Sequence, residues 1–394
     1  MLRTVRSHRT LALVLTLSLA VASCASDGGS EDAAGGGDAS TTTTAAASSS
    51  PAYAARGPHE VGVHSFALDD GRRVVSWYPA AASAADQPDE VFDIASLLSP
   101  ELQSQVPAEL RPQYEIAAHP GAEPADDGPF PVVLFSHGFA GFPEQSADLV
   151  THLASWGFVV VAPAHVERSL DGLLGTGAQG IGRRDDPEVL MASLDAALAD
   201  EAVGPLIDDE QVAVAGHSAG ASAAYLAAAS DDRVDALVAY ALGDGRQDPD
   251  QPAPDLPVPD VPSLVMLGTD DGIIPAGTTR AVWEQMAPPK RLVELGDAGH
   301  LAFSDICLIG RDQGGLTGLV EEAGLDLPAD LLRLASDGCE PDALDPEAGF
   351  APIDHLTVAF LRSAFGIDPE PVGLDETTAA QFSGVDVTLR EDLG

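Results

Sequence analysis

The 394-residue sequence predicts an α/β fold in which a mostly parallel sheet of about eight strands is covered by helices on both faces. Six short apolar runs have the length and composition typical of strands buried on both faces. Helical segments lie between most of these runs, and this alternation favours parallel strands. The predicted buried strands are residues 132–135, 158–162, 212–215, 236–241, 263–267 and 291–295.

A hairpin and one long helix are the other regular elements with clear signals. Residues 60–68 and 72–78 flank Asp69-Asp70-Gly71, and these residue types tolerate the positive φ of a tight turn. Residues 187–202 are predicted to form a helix with Asp186 as its N-cap, proline at its first position and apolar residues along one face.

Two stretches interrupt the alternation of strands and helices. Residues 80–128 insert a predicted helix around residues 91–98 ahead of the first parallel strand, and residues 301–352 follow a glycine-flanked histidine. We expect both insertions to rim a pocket. With them, residues 53–394 are predicted to form one large domain around a single core.

The charge balance excludes some functions. The chain has 62 acidic and 19 basic residues, a net charge of −43, and Lys290 is its only lysine. Such a protein repels phosphate backbones and anionic lipid surfaces, so we expect no nucleic-acid partner. The acidity favours solubility, including in a salty medium that screens self-repulsion.

The first residues of the chain predict export and lipid attachment. Three arginines among the first nine residues precede an apolar stretch, 11–21, that is too short to span a bilayer. The tetrad Val-Ala-Ser-Cys at 21–24 resembles the bacterial lipoprotein signal, which implies a signal peptide over 1–23 and a diacylglycerol on Cys24. A plain secretory signal is the alternative. Residues 24–52, rich in Ser, Thr, Gly and Ala, are predicted to be a disordered linker to an extracytoplasmic, membrane-anchored domain.

The two cysteines that remain after Cys24 are Cys307 and Cys339. An even pair in an oxidising compartment predicts a disulfide between them. Two free buried thiols are the alternative.

A nucleophile motif is the strongest functional signal. Residues 216–220, Gly-His-Ser-Ala-Gly, match G-x-S-x-G and lie between an apolar strand at 211–215 and an Ala-rich run at 221–229. Glycines are needed on both sides of the serine because the strand turns sharply into a helix and leaves no room for Cβ atoms. Ser218 is therefore predicted to be a nucleophile. The alternative is a glycine-rich turn without catalytic function.

A serine nucleophile needs a base that is itself oriented by a carboxylate. His300 follows the strand at 291–295 in a glycine-flanked loop, and Asp271 follows the strand at 263–267, which gives the chain order serine, acid, histidine. We predict that His300 is the base and Asp271 the acid. Asp270 and Asp297 are the alternative acids.

Two backbone amides are predicted to bind the oxyanion of a tetrahedral intermediate. One is that of Ala219, directly after the nucleophile. The other belongs to the loop 136–141 after the first parallel strand, and we predict the Phe139 amide. His165 ends another strand, where it either lines the site or makes a loop hydrogen bond.

Several of these stretches carry a family resemblance. They are Phe-Ser-His-Gly-Phe at 135–139, Leu-Ala-Ser-Trp-Gly-Phe-Val-Val-Val-Ala-Pro at 153–163, the Gly-His-Ser-Ala-Gly motif, and the opening from Gly62-Val63 to Tyr78-Pro79. Residues 57–305 and 353–366 resemble bacterial relatives of platelet-activating-factor acetylhydrolase and the wider dienelactone-hydrolase-like and cutinase-like polyester hydrolases. The resemblance implies the α/β-hydrolase fold and cleavage of carboxylic esters through an acyl-enzyme. Two departures are the serine in place of the cysteine nucleophile of true dienelactone hydrolases, and the longer segment after His300.

No motif in the sequence indicates a metal, nucleotide or other cofactor, so we expect none. The expected partner is a small-molecule, lipid or polyester ester, and we expect a monomer. The competing functions are those of a peptidase or thioesterase with the same triad, and of a cell-surface binding lipoprotein without turnover.

Overall fold

The computed structural model of the protein describes residues 51–104, 106–108, 111–174, 180–246, 252–322, 324 and 328–394. The predicted signal peptide at 1–23, the lipidated Cys24 and nearly all of the linker at 24–52 lie outside the described residues. No helix in the described ranges has the length and apolar character needed to cross a membrane.

One large sheet organises the described part of the chain. Its strands, together with a separate β3–β4 pair, are β1 (Glu60–Ala67), β2 (Arg73–Ala80), β3 (Glu90–Asp93), β4 (Gln113–Ile116), β5 (His119–Pro120), β6 (Phe130–Ser136), β7 (Val159–Pro163), β8 (Ile207–His217), β9 (Ala236–Tyr240), β10 (Ser263–Gly268), β11 (Lys290–Leu295) and β12 (Val387–Asp392). The strand order of the large sheet is β12-β11-β10-β9-β8-β6-β7-β2-β1-β5. The six neighbouring strands from β11 to β7 pair in parallel.

Helices cover both faces of this sheet. The α-helices are α1 (Pro100–Gln103), α2 (Ala147–Ser155), α3 (Leu170–Leu173), α4 (Asp186–Ala199), α5 (Ala219–Ala228), α6 (Ala276–Gln285), α7 (Gly315–Glu322), α8 (Ala329–Leu334), α9 (Pro346–Ala364) and α10 (Glu376–Ala379). Short 3₁₀ helices occupy Ala82–Asp86, Ile94–Leu97, Pro143–Ser146, Gly204–Leu206, His300–Phe303 and Arg311–Gln313.

The two-residue period of the central strands produces two apolar cores. In β6, Val133 and Phe135 belong to the core on the side of α2 and α9, whereas Val132 and Leu134 belong to the core on the side of α4, α5 and α6. Strands that are apolar at every position are therefore buried on both faces, as the sequence predicted. The fold class is confirmed, and the sheet has two strands more than expected. The additional strands are the edge strands β5 and β12, whose short length and partly polar sequence weaken their signal.

Two local predictions are wrong. Helix α4 begins at Asp186, so its N-cap is Asp185, because the Asp186 carboxylate binds Arg168 instead of a helical amide. Residues 91–98 do not form a helix: residues 90–93 pair with β4 in a two-stranded sheet, and a 3₁₀ helix follows.

The predicted disulfide between Cys307 and Cys339 is present. The two Cα atoms are 5.2 Å apart, within the normal range for a disulfide. The bond links the residues just after His300–Phe303 to the turn that precedes α9.

Candidate active site

The G-x-S-x-G motif forms a sharp turn between β8 and α5. Ser218 has φ 58° and ψ −119°, a backbone conformation that a serine adopts only when its surroundings impose it. A Cβ atom on Gly216 would overlap the backbone of Gly220, and a Cβ on Gly220 would overlap the carbonyl oxygens of Ser136 and His137. Both glycines are therefore required, as the sequence predicted, and the turn holds the serine at the carboxyl end of the sheet.

The structure brings together the three residues predicted to form the triad. His300 Nε2 lies 2.9 Å from Ser218 Oγ, and His300 Nδ1 lies 2.8 Å from Asp271 Oδ2. The three side chains converge because each follows the carboxyl end of a parallel strand, namely β8, β10 or β11. All three residues are buried.

Asp271 is oriented by the backbone that follows it. Its Oδ1 accepts the amide hydrogens of Ile273, at 2.8 Å, and Ile274, at 2.7 Å, so Oδ2 faces the imidazole. The two alternative acids lie elsewhere: Asp270 is exposed, and Asp297 is an exposed turn residue with φ 56°.

The loop proposed to bind the oxyanion is held by a glutamine that the sequence did not single out. The Gly138 amide donates to Gln145 Oε1 at 2.9 Å, and Gln145 Nε2 lies 3.1 Å from His217 Nδ1. His217 Nε2 then donates to the carbonyl oxygen of His300 at 2.9 Å. One buried chain of hydrogen bonds thus joins the Phe139 loop, the nucleophile turn and the His300 loop. Within the described part of the chain, the Phe139 and Ala219 amides donate to no protein acceptor.

A buried arginine supports the same loop from the other side. Arg168 Nη1 donates to the carbonyl oxygens of His137 and Gly138, and Arg168 Nη2 donates to Ser136 Oγ. Asp186 accepts from Arg168 Nε at 2.6 Å. Burial by itself would raise the pKa of Asp186, but hydrogen bonds and charges from His165 and Arg168 hold it well below its ordinary value. The pair is therefore an ion pair.

His165 belongs to this support and not to the pocket. Its Nε2 lies 2.9 Å from Ser136 Oγ, and the ring is fully buried. Of the two sequence interpretations, the loop hydrogen bond is the one that the structure shows. Neither Gln145 nor Arg168 has a local sequence signal, because each acts on residues that are distant in the chain.

The histidines behind the site are neutral at physiological pH. Burial lowers the pKa of His137 well below the ordinary histidine value, and Arg168 lowers it further. Burial likewise lowers the pKa of His217, with His300 adding to the effect. Both rings therefore act as hydrogen-bond links and not as charges.

An apolar cavity of about 550 Å³ opens onto Ser218 and His300. This volume lies within the usual range of about 300–1,000 Å³ for ligand pockets. Both insertions form its walls, as expected: Ile94 and Leu98 come from the first insertion, and α7 and α8 of the second supply half of the leucines. Of the described residues that line it, none is Asp, Glu, Lys or Arg. The exposed Phe139 and Leu173 side chains make its entrance apolar too.

The described residues contain no cluster of three or more His, Cys, Asp or Glu side chains arranged to hold a metal ion. The site therefore consists of a serine, a histidine, an aspartate and free backbone amides beside an apolar cavity.

The strand order, the strained serine between β8 and α5, and the loops that follow β10 and β11 define the chain as an α/β-hydrolase by fold. The family model for chlorophyllase matches residues 89–256, a range that contains Phe139 and Ser218 and ends before Asp271 and His300. The solved structure of a ferulic acid esterase from Streptomyces cinnamoneus aligns with 86% of this chain and 99% of its own. The TM-score is 0.59 and the sequence identity 23%, which shows a shared fold. No curated protein sequence matches the chain.

Proposed function

We propose that the protein is a serine hydrolase that cleaves carboxylic esters through an acyl-enzyme. The observation that carries the proposal is the continuous set of contacts from Ser218 Oγ through His300 to Asp271, at 2.9 Å and 2.8 Å. A nucleophile, a base and an orienting carboxylate at hydrogen-bond distance are the parts that acyl transfer requires. The solved structure that is similar in fold is that of a ferulic acid esterase, which also supports ester cleavage.

In the proposed reaction, Ser218 Oγ attacks the ester carbonyl carbon while its proton moves to His300 Nε2. The amides of Phe139 and Ala219 donate to the oxyanion of the tetrahedral intermediate. His300 then passes the proton to the departing alcohol oxygen, which leaves an acyl ester on Ser218. Water attacks this ester with His300 again as base, and the carboxylic acid and the free serine are regenerated.

Asp271 holds the imidazole in the tautomer with hydrogen on Nδ1. Its second oxygen is occupied by two backbone amides, so the carboxylate cannot rotate without losing them. This arrangement stabilises the imidazolium that forms in each transition state.

The cavity supports a neutral ester with a large apolar group as the substrate class. In a chain with a net charge of −43, the described walls of this cavity carry no Asp, Glu, Lys or Arg side chain. A charged group would lose its hydration there without gaining a partner, whereas an apolar acyl or alcohol group gains from burial.

The proposal is tested by hydrolysis of p-nitrophenyl esters of graded acyl length. Ser218→Ala is expected to lower kcat by about 10⁶-fold, as for loss of other serine nucleophiles. Ser222→Ala, one turn later on α5, is the matched control and is expected to keep activity within about twofold. We expect medium-length acyl groups to be cleaved better than acetate; a preference for acetate would contradict the apolar-substrate part alone.

Labelling by a fluorophosphonate separates the competing functions. Wild-type protein that neither labels nor cleaves any ester would favour a binding lipoprotein without turnover. Labelling without ester cleavage, together with cleavage of a thioester or a peptide, would favour a thioesterase or peptidase with the same triad.

The proposed location is the outer face of the cell membrane, with a diacylglycerol on Cys24. The sequence of residues 21–24 supports this proposal. Wild-type protein is expected to incorporate labelled palmitate and to sediment with membranes, whereas Cys24→Ser should do neither. Incorporation of labelled palmitate by the Cys24→Ser variant would contradict the proposed lipid attachment at Cys24.

A further inference from the structure

The turn at residues 336–339 lies against both loops that carry the proposed acid and base. Asp337 Oδ1 accepts the amide hydrogen of His300 at 2.7 Å and that of Gly272, next to Asp271, at 3.2 Å. The Asp337 carbonyl oxygen accepts the amide hydrogen of Leu301 at 3.0 Å. One residue of the second insertion thus bridges the two catalytic loops.

The contact between this turn and the His300 loop is made backbone to backbone. A Cβ atom on Gly299 would overlap Gly338. Gly338 itself has φ +94°, a conformation that favours glycine. Because no side chain separates the two backbones, a displacement of the turn also displaces the backbone of His300.

Hydrogen bonds join the turn to Arg333 and Glu340, but its segment has few buried side chains. Of the described residues in α7 and α8, only Leu319 is buried, so these helices contribute little core to hold the segment in place. The disulfide supplies a covalent attachment, because Cys339 is joined to the buried Cys307. Arg333 Nη1 adds a hydrogen bond to the Gly272 carbonyl oxygen at 3.0 Å.

We infer that Asp337 is a positioning residue for ester hydrolysis, and that the Cys307–Cys339 disulfide holds it in place. The inference rests on the proposed function of Ser218, Asp271 and His300. The Asp337 carboxylate sets the separation between the Gly272 backbone and the His300 backbone, and so the distance from Asp271 to the imidazole. Bonds from backbone amides to a carboxylate are stronger than bonds between neutral groups, which suits this task.

Catalysis is sensitive to such alignment, and displacements of about 1 Å can cost about 10²-fold in rate. Asp337→Ala removes both amide contacts and is expected to lower kcat on p-nitrophenyl butyrate by about 10–100-fold, with KM within about threefold. The rate of inactivation by a fluorophosphonate should fall by a similar factor. Asp337→Asn keeps an oxygen that can accept both amides, so it should keep kcat within about fivefold of wild type. Asp342→Ala, an exposed acid in the same segment, is the control and should leave kcat unchanged.

A second pair of variants tests the role of the disulfide. Cys307→Ser with Cys339→Ser is expected to lower kcat by about 3–10-fold at a temperature where the protein remains folded. Asp337→Ala added to this pair should lower kcat by less than it does in the wild type, because both changes act through the same turn.

The outcomes are distinct from those of the proposed function. If the wild-type protein shows neither esterase activity nor fluorophosphonate labelling, the proposed function itself is wrong. An active wild type with Asp337→Ala within twofold of its kcat would overturn the inference, as would equal losses in Asp337→Ala and Asp337→Asn. If Asp337→Ala does not fold, Asp337→Asn and the cysteine pair decide: an unchanged kcat and labelling rate in the cysteine pair would overturn the inference.

Discussion

Two buried sites show how the surroundings of an aspartate decide what that acid does. Asp271 faces three nitrogen atoms, from the amides of Ile273 and Ile274 and from the His300 imidazole. Asp354, on α9, instead lies against the carboxylates of Asp148 and Asp305, with His152 Nδ1 3.3 Å from its Oδ2. The surroundings of Asp271 favour a carboxylate, whereas those of Asp354 favour the protonated carboxylic acid.

Burial raises the pKa of Asp354 well above its ordinary value, and the nearby Asp148 and Asp305 carboxylates raise it further. Burial and Asp148 likewise raise the pKa of Asp305. The positive charge of Arg56 opposes the shift at Asp354 but is the weakest of these influences. Burial alone therefore does not predict the protonation of an aspartate; the number of donors that face it does.

The largest effect on activity is expected from removing the charge of Asp271, the acid surrounded by hydrogen-bond donors. Asp271→Asn keeps the shape of the side chain but favours the wrong imidazole tautomer, so kcat should fall by about 10⁴-fold. The melting temperature should change little. Steady-state kinetics on p-nitrophenyl butyrate checks the prediction, with Asp270→Asn, the exposed neighbour, as control. A decrease in kcat of less than tenfold would show that Asp271 is not the acid that orients His300.

The second largest effect is expected on acidification of the wild-type protein. Burial lowers the pKa of His152, beside Asp354, to about 4, and that of His165, behind the active site, to about 4 as well. Between about pH 4 and pH 6.5 these histidines are protonated in the unfolded chain and neutral in the folded one. Stability is therefore complete above about pH 6.5 and is lost as the pH falls toward 4.

Together, the two histidines are expected to lower the free energy of unfolding by about 3 kcal/mol or more between pH 7 and pH 4.5. Denaturant unfolding at a series of pH values measures it. His152→Gln should show a smaller decrease than wild type over this range, and an equal decrease would contradict the assignment for His152.

A smaller pH effect on stability, of opposite sign, is expected from Asp354 on α9. Because the pKa of Asp354 is raised in the folded state, its contribution to stability is complete below the unfolded value of about 3.9 and is lost as the pH rises through the folded value. Asp354→Asn resembles the protonated acid at every pH. It should match wild type near pH 4 and exceed it by about 1–2 kcal/mol or more at alkaline pH, with esterase activity within about twofold. A variant less stable than wild type at pH 9 would show that the Asp354 charge stabilises the fold.

The smallest effect is expected at Glu90 in β3. Burial and the neighbouring Glu144 raise its pKa to about 7, although Arg73 opposes the shift. Stability from this group is thus lost as the pH rises from about 4.5 toward 7 and beyond. The shift from 4.5 to about 7 sets an upper limit of about 3 kcal/mol, and solvent reduces it because Glu90 is partly exposed. Glu90→Gln should therefore raise the free energy of unfolding at pH 8 by about 1 kcal/mol. Thermal unfolding at pH 5 and pH 8 measures the difference, and an equal shift at both pH values would argue against titration of Glu90.

The success and failure of the sequence predictions have physical reasons. The apolar strands and the glycine-flanked serine could be found because each signal lies within a few adjacent residues. The helix expected at 91–98 was wrong because the pairing of β3 with β4 overrode its local preference. The N-cap of α4 was misplaced by one residue because Asp186 has a stronger partner in Arg168 than in the helix amides.

The sequence by itself determined the strand and helix alternation, the strained turn at Ser218 and the order of serine, acid and histidine, because hydrophobic period and glycine placement are local properties. Only the tertiary structure decided which groups surround that site. Gln145 and His217 are 72 positions apart, and Asp337 and His300 are 37 apart. Such contacts arise from the docking of loops and helices onto the sheet, and no periodicity in the chain encodes them.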